Sequence, residues 1–154
     1  MIRRDYIERL IEQLAQAIAA VVLNKRQHNY DRAREEIKRA CNGLLGVQYD
    51  LVRALSTKDL LGILKINPDQ APDKCRILGE LLQHDAEIYQ LGGRAEDYVT
   101  SLHKALYLYI EAYKTLGDKY GLKRKIDGLA QESSGQVIPD FLQEALSHYR
   151  SLNK

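Results

Sequence analysis

Apolar residues recur every three or four positions along most of the chain, and this spacing predicts helices throughout. The first helix is expected from about Asp5 to about Arg26, with Leu10, Leu14 and Val21 on one face. Alternation of apolar and polar residues, which would indicate a strand, never persists for more than a few positions. The chain is therefore predicted to be all-α.

Loop signals divide the rest of the chain into further helices. The second helix follows the turn HNYD and ends near Leu44. Ser56 precedes Asp59 by three residues, a spacing that favours an N-cap. The later helices are expected at about 47–55, 57–65, 72–91, 94–116, 118–132 and 139–152, with the weaker 118–132 segment interrupted by Gly121 and Gly128. All of them fit a single helical domain over residues 1–154.

The stretch AEIYQLGGRAEDYV, residues 86–99, places two glycines between helix-forming residues. Gly92 is expected to adopt the left-handed conformation that ends a helix, and Gly93 to let the chain reverse. The double glycine therefore predicts a turn between two antiparallel helices.

This hairpin resembles a tetratricopeptide repeat, a helix pair of about 34 residues. Ala86 and Tyr89 match the small residue and the tyrosine of the repeat's first helix. The second helix is matched at Leu102 and Ala105, and a looser match earlier in the chain is formed by Ala33, Ile37 and Ala40. The resemblance implies antiparallel helix hairpins near 14–47 and 79–112 in a tetratricopeptide-like right-handed array, with a C-terminal packing helix. Another helical bundle with similar close packing remains the alternative.

In tetratricopeptide proteins the first helix of each pair lines a groove that holds a peptide. Carried over, the groove positions of the second hairpin are Glu80, Gln83, Glu87 and Gln90. Tyr107 lies off the apolar stripe of its helix and is expected to be exposed, so it joins the predicted partner-binding residues.

The equivalent positions of the first hairpin are mostly apolar, which does not suit an open groove. Either the C-terminal helix or a second subunit is expected to cover them. We favour a homodimer, and the predicted self-association residues are Ala15, Ile18, Ala19 and Val22.

The opening segment RRDYIERLIEQLAQAIA is similar to the start of a small, uncharacterised bacterial protein family with this helical organisation. That resemblance implies no activity, because the family has none to carry over.

Charge and composition exclude several classes of partner. The 23 Lys and Arg residues nearly balance the 21 Asp and Glu residues, so bulk charge does not favour nucleic acid or a membrane surface. The longest apolar run, residues 17–23, is far shorter than the roughly 20 residues that span a bilayer. The charged N-terminal segment does not resemble a signal peptide, so a cytoplasmic location is expected. Cys41 and Cys75 are interpreted as buried, reduced thiols.

Motifs for phosphate loops, dinucleotides or metals are missing from the sequence, so no cofactor, metal site or catalytic residue is predicted. His103, Tyr107 and Glu111 share one helix face, where they form either a proton-transfer group or, as we favour, a solvated polar surface. The sequence is most consistent with a non-enzymatic protein-interaction or scaffold module. The alternatives are a self-associating structural protein and a small-ligand binder that uses the His103 face.

Overall fold

The computed structural model describes residues 2–153, with side chains from Arg4 onward. Within this range the chain is helical and contains no strand, which confirms the all-α prediction. A short 3-10 turn spans Lys119–Gly121. The helices are α1 (Ile2–Arg26), α2 (Tyr30–Leu45), α3 (Tyr49–Ala54), α4 (Thr57–Leu64), α5 (Ala71–Leu91), α6 (Ala95–Leu116), α7 (Leu122–Glu132) and α8 (Asp140–Leu152).

The two longest central helices, α5 and α6, pack along one another and organise the other elements. On one side of the pair, α2 packs against α5, and α1 packs against both α2 and α5. On the other side, α7 and α8 pack against α6, while α4 contacts both central helices. The C-terminal helix therefore packs on α6, and its main contact is not with the apolar face of α1.

A glycine in the middle of α5 permits the close approach of α6. A Cβ atom on Gly79 would lie 2.8 Å from Cδ1 and 2.9 Å from Cε1 of Tyr109, closer than packed carbon atoms tolerate. The Tyr109 side chain is fully buried, and its hydroxyl donates a 2.7 Å hydrogen bond to Gln83 Oε1. Gly79 and Tyr109 thus fix the distance between the central helices.

The double glycine forms the predicted turn between α5 and α6, but the roles of its two residues differ from those expected. Gly92 has φ −85°, and it is Gly93, with φ +73°, that takes the left-handed conformation. The amide of Gly93 donates to Gln90 O at 3.1 Å, and the amide of Arg94 donates to Tyr89 O at 2.9 Å. This pair of bonds is a Schellman motif, which satisfies carbonyls that a helix end leaves free.

Other local predictions agree with the structure in most places. Ser56 is the N-cap of α4, and its hydroxyl accepts a hydrogen bond from the Asp59 amide at 3.1 Å. Both cysteines are buried free thiols, as expected. The expected interruption at Gly128 is wrong, because α7 runs through that residue to Glu132.

The turn gives a direct test of backbone strain. We expect Gly93→Ala to lower the free energy of unfolding by about 1 kcal/mol or more, because a Cβ atom disfavours the left-handed conformation. Gly92→Ala is the matched control: Gly92 has a negative φ, and its added Cβ would meet only Ile88 O at 3.4 Å and Tyr89 O at 3.7 Å. Urea denaturation of both variants measures the difference, and equal stabilities would contradict this assignment.

Candidate binding cleft

A cleft of about 990 Å³ opens beside His103, between the α3–α4 junction, α6 and the start of α8. The α3–α4 side contributes residues 53–58, and α6 contributes Val99, His103 and Tyr107. The segment that leads into α8 contributes Val137, Pro139 and Phe141. The cleft is thus built from three parts of the chain that lie far apart in sequence.

A buried lysine holds the α3–α4 wall in place. Lys104 Nζ donates to the carbonyl oxygens of Val52, Arg53 and Leu55 at 2.9, 3.0 and 2.9 Å. These are carbonyls at the end of α3, which a helix leaves without backbone partners. Burial, with a smaller contribution from the Arg53 charge, lowers the pKa of Lys104 to about 8. Lys104 therefore joins α6 to the end of α3.

A buried carboxylate on α5 connects the same wall to the core. The Asp85 side chain is completely buried and accepts hydrogen bonds from the Tyr49 hydroxyl at 2.8 and 3.0 Å and from Ser101 Oγ at 2.9 Å. Burial raises the pKa of Asp85, although the hydrogen bonds from Tyr49 and Ser101 oppose that shift. Arg53 bonds to Ser101 Oγ and, at 2.8 Å, to Asp97 Oδ1. Helices α3, α5 and α6 meet in this network.

The expected solvated face around His103 is wrong. His103 is buried, with 5 % of its surface exposed, and its Nε2 lies 2.8 Å from Gln136 Oε1 in the segment before α8. Tyr107 is half-buried rather than exposed, because its ring packs edge-on against Phe141 at 5.6 Å. Glu111 lies 2.7 Å from Lys114 Nζ. The segment that leads into α8 thus covers the face of α6 that helical periodicity alone predicts to be exposed.

The chemistry of the cleft suits binding. Burial lowers the pKa of His103, so the ring is predominantly neutral at pH 7, and its hydrogen-bond partner is an amide rather than a carboxylate. Apolar side chains line much of the wall, and Val137 at its edge is 93 % exposed. Lys58 adds an exposed cation to the lining, and Glu144 adds an exposed anion. A ligand with an apolar part and a polar or anionic part matches this lining.

The predicted row of groove residues on α5 is mostly engaged within the chain. Glu80 Oε2 lies 3.6 Å from Lys125 Nζ, and Gln83 accepts the hydrogen bond from Tyr109. Glu87 Oε2 lies 2.6 Å from Nζ of Lys25. Gln90 is exposed, and none of the four residues lines the cleft.

The predicted self-association residues on α1 differ in exposure. Ala15 and Ala19 are exposed, whereas Ile18 and Val22 are half-buried. Leu23, which follows them on the helix, is 55 % exposed. The structure thus leaves an apolar strip on α1.

Sequence reasoning missed the cleft because its residues belong to different elements. The available signals were Val137 and Phe141, apolar residues flanking Pro139 at the start of the last helix. Phe141 is 39 % exposed, although it lies on the helix that packs against α6. Val99 lines the cleft and is half-buried.

Two further properties concern only the part of the chain that the structure covers. Over residues 2–153, no helix combines the length and the apolar character needed to cross a membrane. Among the same residues, no group of three or more His, Cys, Asp or Glu side chains is arranged to hold a metal ion.

The sequence matches a known protein family over its whole length. The model of a family of unknown function, DUF6483, matches residues 1–154. The chain belongs to this family. No curated protein and no solved structure matches it. The predicted membership of an uncharacterised family is therefore confirmed, and the family itself supplies no activity for this DUF6483 protein.

The buried His103 of this DUF6483 protein predicts a pH dependence of stability. Its pKa is lower in the folded chain than in the unfolded chain, so acid protonates the unfolded form first. The stabilisation is complete above the unfolded pKa of about 6.5 and is lost as the pH falls from there toward the folded pKa.

We expect urea denaturation at pH 7.5 and pH 5.5 to show a smaller loss of stability in His103→Gln than in the wild type. His84, whose pKa is also lowered by burial and by the Lys25 charge, keeps its own contribution in both proteins. An identical loss in both proteins would show that His103 does not titrate as described.

Proposed function

We propose that this protein is a non-enzymatic binding module whose cleft beside His103 receives a segment of a partner protein. The observation that carries the proposal is the cleft itself, about 990 Å³ in volume, with exposed apolar side chains at its edge. Clefts of this size and mixed lining are the usual sites of ligand binding. The proposal moves the interaction site from the predicted row on α5 to the face formed by α3, α4, α6 and α8.

The lining favours a segment that carries an apolar side chain and an acidic group. Val137 and Phe141, from the segment that leads into α8, offer apolar contact on one side of the cleft. At the α4 end, Lys58 is an exposed cation that can pair with a carboxylate. Lys104 strengthens the positive potential of that wall, although its ammonium is already bonded to three carbonyls.

We also propose that the helices form a tetratricopeptide-like array and that the protein is bacterial and cytoplasmic. The packing of α1 and α2 as one pair, of α5 and α6 as another, and of α2 against α5 supports stacked hairpins. The short helices α3 and α4 interrupt the array between the two hairpins. The buried free cysteines agree with a reducing compartment.

Val137 provides a test of the cleft. We expect Val137→Asp to abolish capture of the partner in a pull-down from lysate of the source cells, quantified by mass spectrometry, because a carboxylate replaces the apolar contact. The variant should fold normally, since Val137 is 93 % exposed. Ile66→Asp is the matched control: Ile66 is 80 % exposed and lies outside the cleft.

Three results would count against the partner-segment proposal. A partner retained by Val137→Asp, or lost equally from Ile66→Asp, places the contact elsewhere. A small molecule that remains bound in native mass spectrometry and depends on Val137 would instead favour the small-ligand alternative.

A second candidate function is self-association through α1. The supporting observation is the strip formed by Ala15, Ala19, Val22 and Leu23, in which both alanines and Leu23 are exposed. Small residues at Ala15 and Ala19 would let the same helix of a second copy approach closely. The proposed occupant of this strip is therefore a second copy of the chain.

Light scattering tests this candidate. We expect the wild type to be dimeric at tens of micromolar and Ala19→Asp to be a folded monomer, because the added carboxylate is buried only in the dimer. Ile18→Asp is less suitable, since Ile18 packs against the core and its loss should also destabilise the monomer. A monomeric wild type would reject the dimer.

A further inference from the structure

Three guanidinium groups converge on one tyrosine ring at the end of the central helix pair. The Cζ atoms of Arg34, Arg53 and Arg94 lie 4.6, 4.8 and 5.2 Å from the centroid of the Tyr89 ring. They come from α2, from α3 and from the turn before α6, so only the folded chain brings them together. A cluster of positive charges around one ring favours a bound anion.

The acidic groups nearby neutralise only part of this cluster. Asp97 lies 2.8 Å from Arg53 Nη2 and 2.5 Å from Arg94 Nη2. Asp85 Oδ2 lies 3.9 Å from Arg53 Nη1.

Arg34 is compensated less directly, because the Asp85 charge acts on it without forming an ion pair. It forms no ion pair with any residue from Arg4 to Asn153, and its Nε is buried without a hydrogen-bond partner. An unpaired buried donor is costly, so a bound acceptor here would be stabilising.

We propose that Arg34, Arg53 and Arg94 bind a phosphomonoester group. A phosphomonoester presents several charged oxygens, and planar guanidinium groups match them with paired N–H donors. Arg34 supplies an Nε donor that the chain leaves without a partner, and the side chain of Arg94 is 60 % exposed, so a ligand can reach the cluster from solvent. A phosphorylated side chain of another protein and a small phosphorylated molecule both carry this group.

The site overlaps the proposed partner cleft only at Arg53. Arg53 lines that cleft, but Arg34 and Arg94 do not. Tests on Arg34 and Arg94 therefore leave the cleft intact, and a failure of the phosphate proposal would not decide the function proposed for the cleft.

Thermal denaturation with inorganic phosphate tests the proposal, with sodium chloride at equal ionic strength as the reference. We expect phosphate to raise the Tm of the wild type and of the control Arg39→Gln, which alters a 73 % exposed arginine of the same helix. Arg34→Gln should abolish the gain.

The stability of Arg34→Gln in chloride separates binding from a structural role. Its Tm should change little, because the loss of repulsion between cations offsets the loss of the Arg34 contact with the Tyr89 ring. A Tm that falls in chloride while phosphate still stabilises the variant would overturn the proposal and assign Arg34 a structural role. If Arg34→Gln fails to fold, Arg94→Gln replaces it, because that side chain is mostly exposed.

Isothermal titration calorimetry then distinguishes the sources of the phosphate group. The probes are inorganic phosphate and a short phosphoserine peptide, with the unphosphorylated peptide as control. Tighter binding of the phosphopeptide supports a phosphorylated protein, and equal or tighter binding of inorganic phosphate supports a small molecule. In either case Arg34→Gln should weaken binding about tenfold or more. Absence of binding by both probes, or equal weakening in Arg39→Gln, would overturn the proposal.

Discussion

The carboxylate of Asp85 is the constraint on which the central part of the fold depends. A fully buried charged or polar group must find hydrogen-bond partners inside the protein, or its burial costs several kcal/mol. Tyr49 and Ser101 provide those bonds, one from α3 and one from α6. Because Asp85 lies on α5, its bonds fix α3 against the central pair. The position of α3 in turn brings its last carbonyls to Lys104 and sets one wall of the cleft.

The elements of this fold were predictable where the signal was local. The Ser56 cap depends on residues three positions apart, and the turn at Gly93 depends on a single left-handed residue. Helical periodicity located the long helices for the same reason. The burial of Asp85 and His103 had no such signal. The burial of each residue depends on elements distant in sequence. Helical periodicity alone places His103 on a polar face, but in the structure the segment that contains Gln136 covers it.

The predicted groove row on α5 was only a partial guide, because pairing between distant elements is not visible in the sequence. A polar residue on a helix surface looks available for a partner, but the sequence does not show which residues the fold pairs with one another. Lys25 reaches Glu87 across 62 positions, and Tyr109 reaches Gln83 from the neighbouring helix. The polar surface of α5 is thus largely used to join α1, α6 and α7 to the centre. The candidate cleft lies on a different face, between the α3–α4 junction, α6 and the start of α8.

Arg53 links the two surfaces proposed to bind ligands. Its side chain lines the cleft, contacts the Tyr89 ring and bonds to Asp97, while its backbone carbonyl accepts from Lys104. An anion at the arginine cluster would compete with Asp97 for this guanidinium. Since the same residue is anchored to the wall of the cleft, such competition would act on the cleft through a direct contact. The two sites therefore share one residue. Any coupling between the ligands that they bind should depend on Arg53.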